Sequence, residues 1–69
     1  MSGTIYRKSE IVGTSATSVS DAVETAIARA TKTLRNVDWF EIEDIRGQVK
    51  DGKVAQYQVT LKVGFRLEE

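Results

Sequence analysis

The chain has 69 residues, ten basic and ten acidic side chains, and neither cysteine nor histidine. This length predicts one domain over residues 1–69, and the missing residue types exclude disulfides, thiolate or imidazole metal sites and catalysis by cysteine or histidine. Balanced charge argues against a nucleic-acid partner, and no apolar run approaches the roughly 20 residues of a membrane span. The first residues do not resemble a signal peptide, so we expect a cytoplasmic location. Because the chain lacks histidine, cysteine and a nucleophile–base pair, we do not expect an enzyme. A core this small contributes only about 3–5 kcal/mol, which makes self-association the expected further source of stability.

The first half of the chain predicts a strand followed by a helix. Residues 4–13, TIYRKSEIVG, alternate loosely and predict a strand that ends at Gly13. After the loop TSATS, apolar residues recur at helical spacing. Ser18 is the expected N-cap, with Asp21 in a variant of the capping box and Asn36 as the stop. The apolar stripe of this helix consists of Val19, Ala22, Val23, Ala26, Ile27, Ala30 and Leu34.

The second half predicts a β-hairpin. Residues 38–49 and 54–67 have strand character, and Asp51-Gly52 between them is typical of a two-residue turn. A helical crossover makes the first two strands parallel, and the hairpin makes the third antiparallel to the second. If the third strand lies between the others, every neighbouring pair is antiparallel. We therefore expect an α+β fold, β-α-β-β, with sheet order 1-3-2 and the helix on one face.

The turn also predicts the register, starting from Lys50 opposite Lys53. Counting outward places Trp39 opposite Gly64, on the face away from the helix. A glycine beside an aromatic ring predicts a slot for another flat group, although a tryptophan in a small domain more often belongs to the core or to a subunit interface. The same count pairs Glu41 with Lys62, Glu43 with Thr60 and Ile45 with Gln58 on this face, and Phe40 with Val63 and Ile42 with Leu61 beneath the helix.

The run RATKTLRNVDWFEIEDIRG, with GTS before the helix and YQVTLKVGFRLE after the hairpin turn, resembles the dodecins over residues 6–68. The resemblance implies a β-α-β-β protein of which twelve copies form a hollow shell. Dodecins bind flavins in pairs near two-fold axes, commonly flavin mononucleotide (FMN) in bacterial members, and they store and protect the flavin without turnover. By this resemblance Trp39 stacks on the isoalloxazine and Gln58 bonds its pyrimidine edge. Some bacterial members also bind coenzyme A.

Other residues are candidates for the phosphate-bearing parts of these ligands. Arg46 is the expected partner of the flavin phosphate, with Gly47 and Gln48 presenting backbone groups, although a solvated strand arginine remains an equal alternative. A coenzyme A tail would need a basic surface, for which a solvated helix face with intersubunit ion pairs is the alternative. The candidates for that surface are Tyr6, Arg7, Arg29, Lys32, Arg35 and Arg66. The carboxylates of Glu41, Glu43 and Asp44 could suggest a catalytic acid pair or a hard-cation site, but ion pairing across subunits or with Lys62 is the expected role.

In the predicted register, Trp39 and Gln58 are about six residues apart along the sheet, or near 20 Å. One flavin ring is too short for that distance, so the site is expected to combine subunits unless a bulge near Gly47 or Gly64 shortens it. The sequence thus favours a flavin-sequestering homo-oligomer that holds FMN, riboflavin or another flavin. A structural module whose Trp39 surface packs only on itself, and a flavoenzyme subunit with a hydride donor site, remain alternatives.

Overall fold

The computed structural model describes residues 3–68. Within them the chain forms strand β1 (Tyr6–Ser15), helix α1 (Val19–Ala30), strand β2 (Val37–Lys50) and strand β3 (Lys53–Arg66). The sheet order is β1-β3-β2, and β3 is antiparallel to both neighbours. The predicted α+β fold and its strand order are confirmed. Among residues 3–68, no helical segment combines the length and the hydropathy that a membrane span requires.

Helix α1 begins with the predicted N-cap. The Oγ of Ser18 accepts a hydrogen bond of 3.0 Å from the backbone N–H of Asp21. The reciprocal half of the predicted capping box is replaced by Ser15, which is buried. Its hydroxyl donates to the Asp21 carboxylate at 2.6 Å and accepts from the backbone N–H of Ser18 at 3.3 Å. The last residue of β1 thereby joins the strand to the first turn of the helix.

The helix ends earlier than its apolar stripe predicts. It stops at Ala30, and the expected continuation to Leu34 is wrong. Thr31 and Thr33 turn their hydroxyls onto main-chain carbonyls of the last helical turn, at 3.1 and 3.4 Å. Threonine has low helix propensity in part for this reason, since its side chain offers the backbone another hydrogen-bonding pattern. The chain then reverses through Asn36, which has φ +63°.

Gly13 lies inside β1 and does not end it. The strand continues to Ser15, and α1 packs directly on the glycine. A Cβ added at Gly13 would clash with the carbonyl oxygen of Ala22 and lie 2.9 Å from the Cβ of Ala26. The glycine therefore sets how closely the helix approaches the sheet.

The core lies between α1 and the strands β1 and β3, and the helix makes little contact with β2. Its fully buried side chains include Val59, Leu61 and Val63 of the central strand. Their partners on β2 face the same side of the sheet, but the helix does not cover them. The prediction that Phe40 and Ile42 are buried beneath the helix is therefore wrong. We call their side of this strand the β2 apolar surface: Phe40 (48% exposed), Ile42 (44%) and Ile45 (52%).

The hairpin turn has the predicted form. Asp51 and Gly52 both have positive φ, 54° and 75°, as a type I′ turn requires. Lys50 pairs with Lys53, and at the far end Trp39 pairs with Gly64 as predicted. The turn and the alternation of side chains thus give the correct register at both ends of the hairpin.

The predicted register is wrong in the middle of the hairpin. Asp44 pairs with Thr60, and Ile45 pairs with Val59, so Glu43 is an extra residue in β2. Towards the turn Ala55 is an extra residue in β3, because Gln48 pairs with Gln56 while Val49 pairs with Val54. These two bulges shift the pairing in opposite directions and cancel at the ends.

Substitution of Gly13 tests how the helix is seated. Gly13→Ala should lower the free energy of unfolding by about 1–3 kcal/mol, because the new methyl group forces α1 away from the sheet. The measurement is denaturant unfolding at one fixed protein concentration. Thr14→Ala, at the next and exposed position, is the control and should cost less. Equal stability of Gly13→Ala and the parent protein would contradict the close packing of α1 on Gly13.

Candidate functional site

The side chain of Trp39 lies on Gly64 of the central strand. A Cβ added to Gly64 would clash with three atoms of the benzo ring, Cε2, Cζ2 and Cη2, at nearly equal distances. The ring therefore lies with its face towards the glycine, and any larger residue there would displace it. Trp39 is 37% exposed. One face of the indole thus rests on the backbone, and the opposite face is directed away from the sheet.

Two polar bridges cross β3 beside this indole. The Tyr6 hydroxyl of β1 donates to the Asp38 carboxylate at 3.1 Å, and the Tyr6 ring contacts Trp39 with centroids 5.8 Å apart and planes tilted by 57°. The second bridge joins Lys8 Nζ to Glu41 Oε2 at 2.6 Å. Because β1 and β2 flank the central strand, both bridges span it. The indole, Gly64 and these four side chains form what we call the aromatic end of the site.

The bridges reinforce the ordinary charge states of Tyr6, Lys8 and Glu41. The hydrogen bond to Asp38 raises the pKa of the Tyr6 phenol, since ionisation would place two negative charges side by side. The hydrogen bond between Lys8 and Glu41 raises the pKa of the lysine and lowers the pKa of the glutamate. At neutral pH the indole is therefore flanked by a neutral phenol and by a charged pair.

The predicted acidic cluster is divided between separate ion pairs. Glu41 forms an ion pair with Lys8, and the Oε2 of Glu43 lies 3.6 Å from the Nζ of Lys62. Within residues 3–68 no group of acidic side chains has the arrangement of a metal site. The predicted ion pair with Lys62 is made by Glu43. Glu41 lies opposite Lys62 in the sheet as predicted, but its ion-pair partner is Lys8 of β1.

The bulge at Glu43 brings three predicted flavin residues onto one face. It pairs Arg46 with Gln58 and Gln48 with Gln56, so these side chains share the side of the sheet that carries Trp39. Gly47 between them packs against the backbone of the opposite strand, where a Cβ would clash with the Gln56 carbonyl. We call Arg46, Gly47, Gln48 and Gln58 the amide end of the site.

The two ends are well separated within one chain. Gln58 and Gly64 are six residues apart along β3, and the pairing of that segment with β1 is regular. At about 3.3 Å per residue the separation from Gln58 to the Trp39 position is near 20 Å. The bulges in the hairpin leave this separation unchanged. A single chain therefore has Trp39 at one end of its sheet and Gln58 at the other, and neither end alone has both of the predicted flavin contacts.

The candidates for coenzyme A do not form one surface in a single chain. Tyr6 and Arg66 pair at the aromatic end, whereas Arg7 pairs with Phe65 and faces the other side of the sheet. Arg29 lies in the helix, and Lys32 and Arg35 follow it. The Nη2 of Arg35 lies 3.3 Å from the Oε2 of Glu68. A coenzyme A site over Tyr6, Arg7, Arg29, Lys32, Arg35 and Arg66 stays a prediction that would need neighbouring chains.

The sequence reasoning missed the partners of Trp39. It assigned Tyr6 to another ligand and gave no role to Lys8 or Asp38. The useful pattern was the alternation of Tyr6 and Lys8 along β1, which puts both side chains on the glycine-bearing face of the central strand. Asp38 could not be found this way, because a third register shift, between Val37 and Trp39, gives it its orientation.

These features define a small α+β domain with an aromatic platform on the open face of its sheet. The family model named Dodecin matches residues 5–68. The dodecin of Thermus thermophilus is 54% identical over 67 residues, which is 97% of each chain. The structure of dodecin from Streptomyces coelicolor is 56% identical over 100% of this chain and 99% of its own, with a TM-score of 0.92. The dodecin from Streptomyces davaonensis is 53% identical over 99% and 100%, with a TM-score of 0.91. The chain belongs to the dodecin family.

Substitution of Gly64 tests whether the Trp39 indole packs on this residue. Gly64→Ala should push the Trp39 ring off the sheet, because the methyl group would occupy the space of the benzo ring. Since the chain has one tryptophan, its fluorescence reports on this residue alone, and we expect a red shift with increased quenching by acrylamide. Thr60→Ala, on the same face of the same strand, is the control. An unchanged spectrum in Gly64→Ala would show that the indole does not rest on Gly64.

Proposed function

We propose that this protein is a flavin-binding storage protein that stacks an isoalloxazine ring on the outward face of Trp39. The observation that carries the proposal is the indole lying flat on Gly64 with its other face directed away from the sheet. A ring held in this way is already oriented for a second flat ring. Membership of the dodecin family supports a flavin as that second ring.

Each contact in the proposed site has a physical reason. Offset stacking of two large π-systems contributes about 0.5–1.5 kcal/mol beyond the burial of area. The Gln58 amide carries two donors and an acceptor, which match the alternating carbonyl and N–H groups of a flavin pyrimidine edge. Arg46 is adjacent to Gln58 across the strands and supplies a cation for the phosphate of FMN. Gly47 and Gln48 supply backbone groups beside it.

The proposed site combines chains. One flavin ring cannot span the roughly 20 Å between the aromatic end and the amide end, so Trp39 of one chain and Gln58 of another hold the same ligand. The exposed β2 apolar surface supports association, because a small domain gains stability by burying such a surface against another copy. A closed homo-oligomer is the simplest assembly, and the number twelve rests on the family resemblance.

Storage requires that the excited ligand be returned to its ground state unharmed. In our proposal Trp39 gives one electron to the photoexcited flavin and takes it back, so the cycle has no net oxidation or reduction. Direct contact between the two rings makes this exchange faster than reaction with oxygen. The role proposed for the protein is therefore binding and quenching, without a chemical product.

Replacement of Trp39 tests the stacking. Trp39→Ala should weaken FMN binding by about tenfold or more and restore flavin fluorescence, since both the stacked area and the electron donor are lost. Trp39→Phe should fall between, because it keeps a smaller ring. The measurements are a fluorescence titration and native mass spectrometry with FMN. Unchanged affinity and quenching in Trp39→Ala would contradict stacking, and a parent protein that binds no flavin would favour the structural module.

Dissociation of the chains tests the shared site. Phe40→Glu should disrupt association, because it places a charge within the β2 apolar surface. A folded monomer of this variant should lose most FMN affinity although Trp39 and Gln58 are intact. Ala16→Glu adds the same charge in the exposed loop before α1 and should keep both assembly and binding. Full affinity in a monomeric Phe40→Glu protein would refute the site shared between chains.

A further inference from the structure

Asp38 has an orientation that a regular strand would not give it. Neighbouring residues of a strand point to opposite faces, so Asp38 and Trp39 would normally lie on different sides of the sheet. The register shift between Val37 and Trp39 makes Asp38 an extra residue in β2. Bulges re-aim side chains in this way. As a result the Asp38 carboxylate reaches the Tyr6 hydroxyl on the face that carries the indole, at 3.1 Å.

Asp38, Trp39 and Tyr6 are each connected to the other two. Asp38 precedes Trp39 in the chain, the carboxylate bonds Tyr6 on β1, and the Tyr6 ring returns to the indole at a centroid distance of 5.8 Å. The planes of the two rings are tilted by 57°, so Tyr6 does not stack parallel on the indole. Trp39 keeps 37% of its surface exposed, and Gly64 lies against one face of its ring.

We propose that Tyr6 and Asp38 are positioning residues, which hold the indole of Trp39 in its stacking orientation before any ligand arrives. A half-exposed tryptophan would otherwise exchange between rotamers and have to be ordered at the moment of binding. Fixing it beforehand removes that entropic cost from the binding step. The orientation of the indole in the free protein does not depend on the proposed function. The gain in flavin affinity rests on the proposed function, because it requires that the protein bind flavin.

The hydroxyl has a distinct part in this arrangement. The contact with the indole is made by the ring of Tyr6, and the hydrogen bond from its hydroxyl to Asp38 fixes where the Tyr6 ring lies. Tyr6→Phe keeps the ring and removes the hydrogen bond, and Tyr6→Leu removes both. Asp38→Asn keeps an oxygen acceptor of the same shape, while Asp38→Ala removes it. The four variants therefore separate the aromatic contact from the hydrogen bond.

The experiment first measures the ligand-free protein. Near-ultraviolet circular dichroism and fluorescence anisotropy report on the immobility of the one tryptophan. We expect both signals to fall in Tyr6→Phe and Asp38→Ala, to fall further in Tyr6→Leu, and to recover largely in Asp38→Asn. Tyr57→Phe, which removes the other tyrosine hydroxyl of the chain, is the matched control and should change little. The assembly of each variant is checked by native mass spectrometry.

FMN titration then measures the consequence for binding. Tyr6→Phe and Asp38→Ala should each weaken FMN affinity about two- to tenfold. The double variant should bind FMN no more weakly than either single variant, because the two substitutions remove the same hydrogen bond. Unchanged tryptophan signals in Tyr6→Phe and Tyr6→Leu, or additive losses in the double variant, would overturn the positioning role. If the parent protein binds no FMN, the proposed function fails, and the ligand-free signals still decide whether Tyr6 and Asp38 hold the indole.

Discussion

The candidate site depends on one contact, the face of the Trp39 indole against the backbone of Gly64. It needs a glycine within the central strand, where a glycine weakens a sheet. It also needs the helix on the other side, so that the polar face stays open. Given both, the indole lies parallel to the sheet, and the neighbouring strands supply the Tyr6–Asp38 and Lys8–Glu41 bridges beside it.

The small core links this site to assembly. The helix covers β1 and β3 but leaves the β2 apolar surface exposed, so part of the apolar area of the sheet lies outside the single-chain core. In the proposed oligomer that surface is buried against another copy, and the same association joins the aromatic end of one chain to the amide end of another. Ligand binding would then stabilise the assembly, since a ligand that binds only the associated state shifts the equilibrium towards it.

Much of the fold could be predicted from the sequence because its patterns are local. Asp51-Gly52 determines the turn, and the alternation along β3 identifies the buried residues Val59, Leu61 and Val63. The register failed between the two ends of the hairpin, where counting cannot detect bulges. The segment from Ile42 to Ile45 did contain a clue, since two acidic residues separate two apolar ones and break the period of two.

The candidate site was less accessible to sequence reasoning. Trp39 and Gly64 were paired correctly because opposite bulges cancel over that length of hairpin. The proximity of Arg46 to Gln58 depends on the bulge at Glu43, and the contact of Asp38 with Tyr6 depends on the shift before Trp39. The length of α1 was overestimated because the threonines after Ala30 bond to the backbone, which an apolar stripe does not reveal.

The most direct measurement is a crystal structure of the protein with FMN. We predict an isoalloxazine parallel to the Trp39 indole at about 3.5–4.0 Å, on the face opposite Gly64, with its pyrimidine edge against Gln58 of another chain. FMN bound away from Trp39, or held by Trp39 and Gln58 of the same chain, would contradict the proposed site.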